Sequence, residues 1–197
     1  MIEKEDIGML RRFGDRDTFA VEVGDFDGGL RVVDLWAGGR RLTVKDNFAY
    51  VPQFCLSMRH TIEDVRGGAV PSCPYPGHSP EENFRLLFMG DEEFREKHWF
   101  MHWGPTTDNL TPYAYLQDGE LVLVIRFWGE ETDDVVVARI APDQFVATVE
   151  AAADLLERES PRSERRGRGA GRFPGVREAA QPPSAVNGRR PRRAGVG

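Results

Sequence analysis

Cysteine is scarce in this chain. Only Cys55 and Cys73 occur, the first in an apolar run and the second in a proline-rich loop. Two cysteines make no disulfide framework, so reduced thiols in a cytosolic protein are expected. Long apolar runs are missing as well. No stretch approaches the ~18–20 apolar residues of a membrane span, so no membrane partner is expected. The N-terminal MIEKEDIGMLRRFGD is charged throughout and has no apolar core of the kind a signal peptide needs. These absences point to a cytoplasmic protein.

The motifs of common cofactors are also lacking. Glycine pairs occur at Gly28-Gly29, Gly38-Gly39 and Gly67-Gly68, but none forms GxGxxG or a Walker loop. Ser57 and Ser79 sit outside any GxSxG elbow. Asp25-Phe26-Asp27-Gly28 starts like a calcium loop, which needs glycine at position six and glutamate at twelve. Those positions hold Leu30 and Trp36. Cys55 and His60 lie five apart on an expected helix, about 140° from each other, so they form no nucleophile–base pair. No cofactor is expected.

Charge is what the chain has in abundance, and it is unevenly placed. From Arg158 to Gly197 there are eleven Arg and three acids, a net +8. The preceding residues hold 15 bases and 29 acids, a net −14. A domain over 1–157 with an acidic surface repels nucleic acid and attracts basic partners, at a rate that salt depresses. The segment 158–197 is rich in Arg, Gly and Pro, with Phe173 as its one aromatic. It cannot bury enough apolar area to offset its ordering entropy, so disorder is expected there. Its RGRG and RRPRR stretches leave nucleic-acid contact through the tail as an alternative role. Aromatic interleaving, which a stacking platform requires, is missing.

The front of the domain reads as sheet. Strands are expected over Thr18–Val23, over Leu30–Ala37, and over Arg41–Lys45 across the Gly38-Gly39 turn. Phe54, Met58, Ile62 and Val65 have the spacing of an amphipathic helix starting after Pro52 and stopped by Gly67-Gly68. Ser79-Pro80-Glu81-Glu82 supplies an N-cap serine, proline at the first helical position and glutamate three after the cap, so a short helix should end near Gly90. Tyr113–Leu116 and Leu121–Trp128 flank Asp118-Gly119, a hairpin signal. Val135–Ile140 reads as a further strand. Pro142-Asp143 opens a final helix with Phe145, Val149, Ala152 and Leu156 on one face. The fold class is α+β: mostly antiparallel sheet with two or three helices, one of them C-terminal.

KHWFMHWGPTTDN, Lys97 to Asn109, carries the sharpest functional question. As a helix it would place His98 and His102 one turn apart, close enough to share a metal. As a strand it would separate them by about 13 Å at roughly 3.3 Å per residue, too far for one ion. Aromatics alternate with the histidines and Gly104-Pro105 ends the run, which predicts a strand with its tryptophans in the core and its histidines on a sheet face. No metal site is expected.

Two candidate partner-binding segments emerge. Thr106, Thr107, Asp108 and Asn109 can bond to nearby backbone and hold a polar turn at a strand end. Glu130, Glu131, Asp133 and Asp134 form an acidic knuckle after Trp128, suited to a basic protein. The rival is an enzyme of unknown reaction near the GPTTDN loop, with His102 as general base and Asp108 orienting it.

Phe13-Gly14-Asp15 followed by Phe19-Ala20-Val21-Glu22-Val23, with a tryptophan strand and Gly38-Gly39 after it, resembles bacterial immunity proteins of polymorphic-toxin systems, most of all the Imm42-like group. The match covers about the first 45 residues. WGPTTDN and the strands after it look like those of uncharacterised bacterial proteins of similar length. The resemblance implies a non-enzymatic cytosolic protein that binds and neutralises a cognate toxin. A basic, nuclease-type toxin suits the −14 domain. No catalytic residues come with the family.

Overall fold

A computed structural model describes residues 10–129 and 134–160. Five strands form one antiparallel sheet: β1 (Arg11–Asp15), β2 (Phe19–Asp27), β3 (Leu30–Ala37), and the short β4 (Arg40–Arg41) and β5 (Phe48–Ala49), both paired to β3. Two helices follow, α1 (Val51–Arg66) and α2 (Pro80–Met89), then a five-residue helix α3 (Glu92–Glu96). A second antiparallel sheet is built from β6 (Leu110–Gln117), β7 (Glu120–Phe127) and β8 (Val136–Ile140), and α4 (Pro142–Glu159) closes the domain. The architecture is α+β, with four helices among the described residues rather than two or three. The extra one, α3, is too short to show a helical period in sequence.

Period-two alternation explains the layering. Phe19, Val21 and Val23 of β2 and Val33, Leu35 and Ala37 of β3 share one core with α1, α4 and the inward residues Leu121, Leu123, Ile125 and Phe127 of β7. The opposite parity of the second sheet, Tyr113, Tyr115, Val122 and Val124, packs against Phe84 and Leu87 of α2. That sheet is therefore apolar on both faces. Its β6–β7 turn is as expected, with Asp118 at φ 54° and Gly119 at φ 81°, the two positive values a type I′ hairpin needs.

Helix signals also match. Ser79 Oγ accepts from Glu82 N at 3.2 Å and Glu82 Oε2 accepts from Ser79 N at 3.0 Å, a complete capping box. Phe145, Val149, Ala152 and Leu156 are all buried on α4. Arg59 bridges α1 to Asp154 and Glu157 of α4, and Arg66 pairs with Glu150.

Two strand expectations need correction. Of the expected strand Arg41–Lys45 only Arg41 lies in β4, because Thr43 Oγ1 accepts from Leu35 N at 3.2 Å where a ladder carbonyl would otherwise sit. Lys97–Trp103 is not a regular strand. His98 and Trp99 still donate to Arg95 and Glu96 at the end of α3. Only Trp99 then bridges to Tyr113, with Phe100 N on Pro112 O and Ala114 N on His98 O. Met101 turns the backbone to φ 52° and ends the pairing. A second loop meets β6 as well, through a parallel bridge of Ser72 to Leu116. No helix among the described residues is long and apolar enough to cross a membrane.

A candidate partner-binding face

The GPTTDN turn is built inward. Gly104 adopts φ 83°, ψ −157°, a region essentially restricted to glycine. Pro105–Thr107 then makes one 3-10 turn. Thr107 Oγ1 accepts from Trp103 N at 3.0 Å and donates to Gly104 O at 3.1 Å, and Thr106 Oγ1 donates to Trp103 O. Both threonines are buried. Trp103, 1% exposed, packs edge-on against Phe19 and Phe54, and its Nε1 donates to Thr61 Oγ1 at 2.9 Å. Thr106 and Thr107 thus anchor the turn, while Asp108 is exposed and Asn109 half-buried. The Asn109 amide oxygen and nitrogen are both buried with no hydrogen-bond partner among the described residues.

The GPTTDN turn lies beside the end of β7. Leu110 is opposite Phe127, and Trp128 N donates to Asn109 O at 2.7 Å. Trp128-Gly129 leads directly into the acidic knuckle. Asp134, its last member, is exposed. Glu130, Glu131 and Asp133 lie outside the described residues.

The histidines part company. His98 is 3% exposed, its Nδ1 3.0 Å from Phe94 O. His102 is exposed beside Trp99, ring centroids 6.2 Å apart. The expected placement of the tryptophans in the core holds for Trp103 and fails for Trp99, which is 40% exposed. Met101's positive φ resets the alternation, so that His98, Phe100 and Met101 turn inward and Trp99 outward.

A hollow of about 180 Å³ results, lined by Trp99, His102, Thr107, Asp108, Leu110 and Trp128 among others. On the other side of the turn lies a cleft of about 500 Å³, lined by Leu30, Phe48, Tyr50, Trp103, Pro105 and Thr106 among others. His102 and Asp108 share the smaller hollow, but no bond joins them, and among the described residues Asp108 is the only acid in its lining. Among the described residues no three His, Cys, Asp or Glu are grouped to hold a metal ion. Cys55 is buried, which pushes its thiol up to about 11, whereas His60 on the same helix is exposed.

Sequence reasoning missed the two exposed tryptophans. Trp128 could have been placed off the main core: Leu121, Leu123, Ile125 and Phe127 fix one parity of β7, so the next residue falls on the opposite face. Because Val122 and Val124 are buried on that face, its exposure comes from lying past the strand end at Phe127. Trp99 gave no such signal, because its exposure depends on a backbone turn at Met101.

The FGD motif has a structural basis. It spans β1 and its turn into β2, and Asp15 Oδ1 accepts from Asp17 N at 2.9 Å. Gly14 has φ 79°, and a Cβ there would lie 2.3 Å from Phe19 O. No family model and no curated protein matches the chain. In fold it is similar to the crystal structure of CdiI from Burkholderia dolosa AUO158, with a TM-score of 0.50 and 14% identity over 75% of this chain and 99% of that one.

Proposed function

We propose that this chain is a non-enzymatic binding protein, an immunity protein that neutralises a basic toxin by covering it. The observation that carries the reading is the placement of Asp108 and Asn109 beside two exposed tryptophans, Trp99 and Trp128, the second of which precedes the acidic residues Glu130, Glu131, Asp133 and Asp134 in sequence. Aromatic anchors with a charged rim are the usual energetic pattern of a protein interface. The −14 of residues 1–157 adds long-range attraction for a cationic partner. The fold shared with the CdiI immunity protein supports the same class, and so does the N-terminal resemblance, on which the finer Imm42-like placement rests alone. The proposed organisation is an acidic domain followed by an Arg-rich tail, and the proposed setting is the cytoplasm.

The test is association with the protein encoded beside this one, followed by stopped flow at several salt concentrations. Replacing Glu130 and Glu131 by Gln and Asp133 and Asp134 by Asn should slow association about tenfold at low salt and flatten its salt dependence. Unchanged association rates would remove the electrostatic mechanism. Failure of this chain to protect cells expressing that neighbour would remove the immunity reading.

A further inference from the structure

Within its own fold this chain sets a guanidinium against an aromatic ring and a carboxylate at Arg16 and at Arg31. Arg16 lies 4.0 Å over Trp36 and gives a two-pronged bond to Glu22 at 2.9 and 2.8 Å. Arg31 lies 4.5 Å over Phe26 and donates to Glu159 at 2.8 Å. The hollow beside the GPTTDN turn offers the same two partners. Trp99 and Trp128 (57% exposed) supply rings, and Asp108 supplies a carboxylate with no ion-pair partner among the described residues. No arginine among the described residues lines it.

Size narrows the occupant. At about 180 Å³ the hollow falls below the ~300–1,000 Å³ typical of metabolite sites, but it admits one long side chain. Chemistry narrows it further. Tryptophan is the best ring for a cation. A planar, weakly hydrated guanidinium both stacks on such a ring and pairs with a carboxylate, whereas an ammonium gives up more hydration to leave water. We propose that the Trp99–Trp128 pocket receives an arginine side chain, presented by the basic partner. This rests on the reading of the protein as an inhibitor of a cationic protein and adds what anchors that partner.

The experiment titrates the full chain with the peptide acetyl-Gly-Arg-Gly-amide and follows the indole N–H resonances of its four tryptophans by NMR. Trp103 and Trp36 are internal controls, since their Nε1 groups are already bonded to Thr61 and Glu22. Trp99 and Trp128 should shift at peptide concentrations of about millimolar, and the other two should stay in place. Asp108→Asn should weaken the peptide about fivefold, as for loss of one exposed charge pair. Trp128→Ala should weaken it by a similar factor, with an unmoved Trp103 resonance showing that the fold is intact. The neutral citrulline peptide should bind at least fivefold more weakly.

Equal shifts with citrulline, tighter binding of the lysine peptide, or movement of Trp36 and Trp103 instead would overturn the proposal. If the peptide fails while the protein encoded alongside still binds, the arginine pocket falls and the immunity reading stands. If the peptide binds as described and that protein does not, the immunity reading falls and the pocket stands.

Discussion

Gly104→Ala would place a Cβ on a backbone at φ 83°, ψ −157°. Space is no obstacle, since a Cβ there would meet no heavy atom within 4 Å. The cost is torsional, about 1–3 kcal/mol. The turn could relax instead, but relaxation loosens the bonds of Thr107 N and Thr107 Oγ1 to Gly104 O, at 2.8 and 3.1 Å. At about 1 kcal/mol net for each hydrogen bond, this route costs about as much as the strain it relieves. Both routes arrive near ~2 kcal/mol, and at about 2–4 °C per kcal/mol the melting temperature should fall about 4–8 °C. Thermal unfolding followed by circular dichroism measures it. Thr107→Val is the companion variant: it removes the hydroxyl that accepts from Trp103 N without altering the backbone, and should cost about 1–3 kcal/mol. A Gly104→Ala melt within 1 °C of the parent would refute the claim that this torsion holds the turn.

Asn83 is fully buried between α2 and the proline-rich loop. It accepts from Tyr75 N at 3.1 Å and donates to His78 O and Ser79 O at 3.3 and 3.1 Å. Asn83→Ala should cost about 3 kcal/mol at about 1 per bond, read from urea unfolding. Iodoacetamide at pH 8 should label Cys73 in the folded protein and reach Cys55 only on unfolding, because burial raises the Cys55 thiol to about 11; mass spectrometry of the peptides decides. Glu159 is drawn down from 4.5 to about 2 by its hydrogen bond from Arg11, reinforced by Arg31. Its folded value lies below the unfolded one, so its stabilisation is complete above about 4.5 and lost as pH falls through about 2. The stability gap between the parent and Glu159→Gln should therefore hold from pH 7 to 5 and close on further acidification.

The legible parts of the fold were those whose signals are local. Asp118-Gly119 specifies its hairpin because both residues tolerate positive φ, and Ser79 with Glu82 specifies a helix start because each satisfies the other's backbone. The spacing of Phe145, Val149, Ala152 and Leu156 gives α4 its buried face. What escaped depends on contacts distant in sequence. Thr43 ends β4 with a bond to Leu35, and Met101 turns Trp99 outward only because α3 and β6 fix the chain on either side. The candidate face was visible as two separate polar segments. The contact of Asn109 with Trp128 follows from β6 pairing with β7.

The two loops bridged to β6, at Ser72 and at Trp99, occupy the flank where another strand could add. An exposed row of unpaired amides is a template for pairing between molecules, and here short lengths of irregular chain blunt it. Damage that peeled either loop away would first show as copies sticking to one another at neutral pH, before any loss of helix or sheet within a single copy.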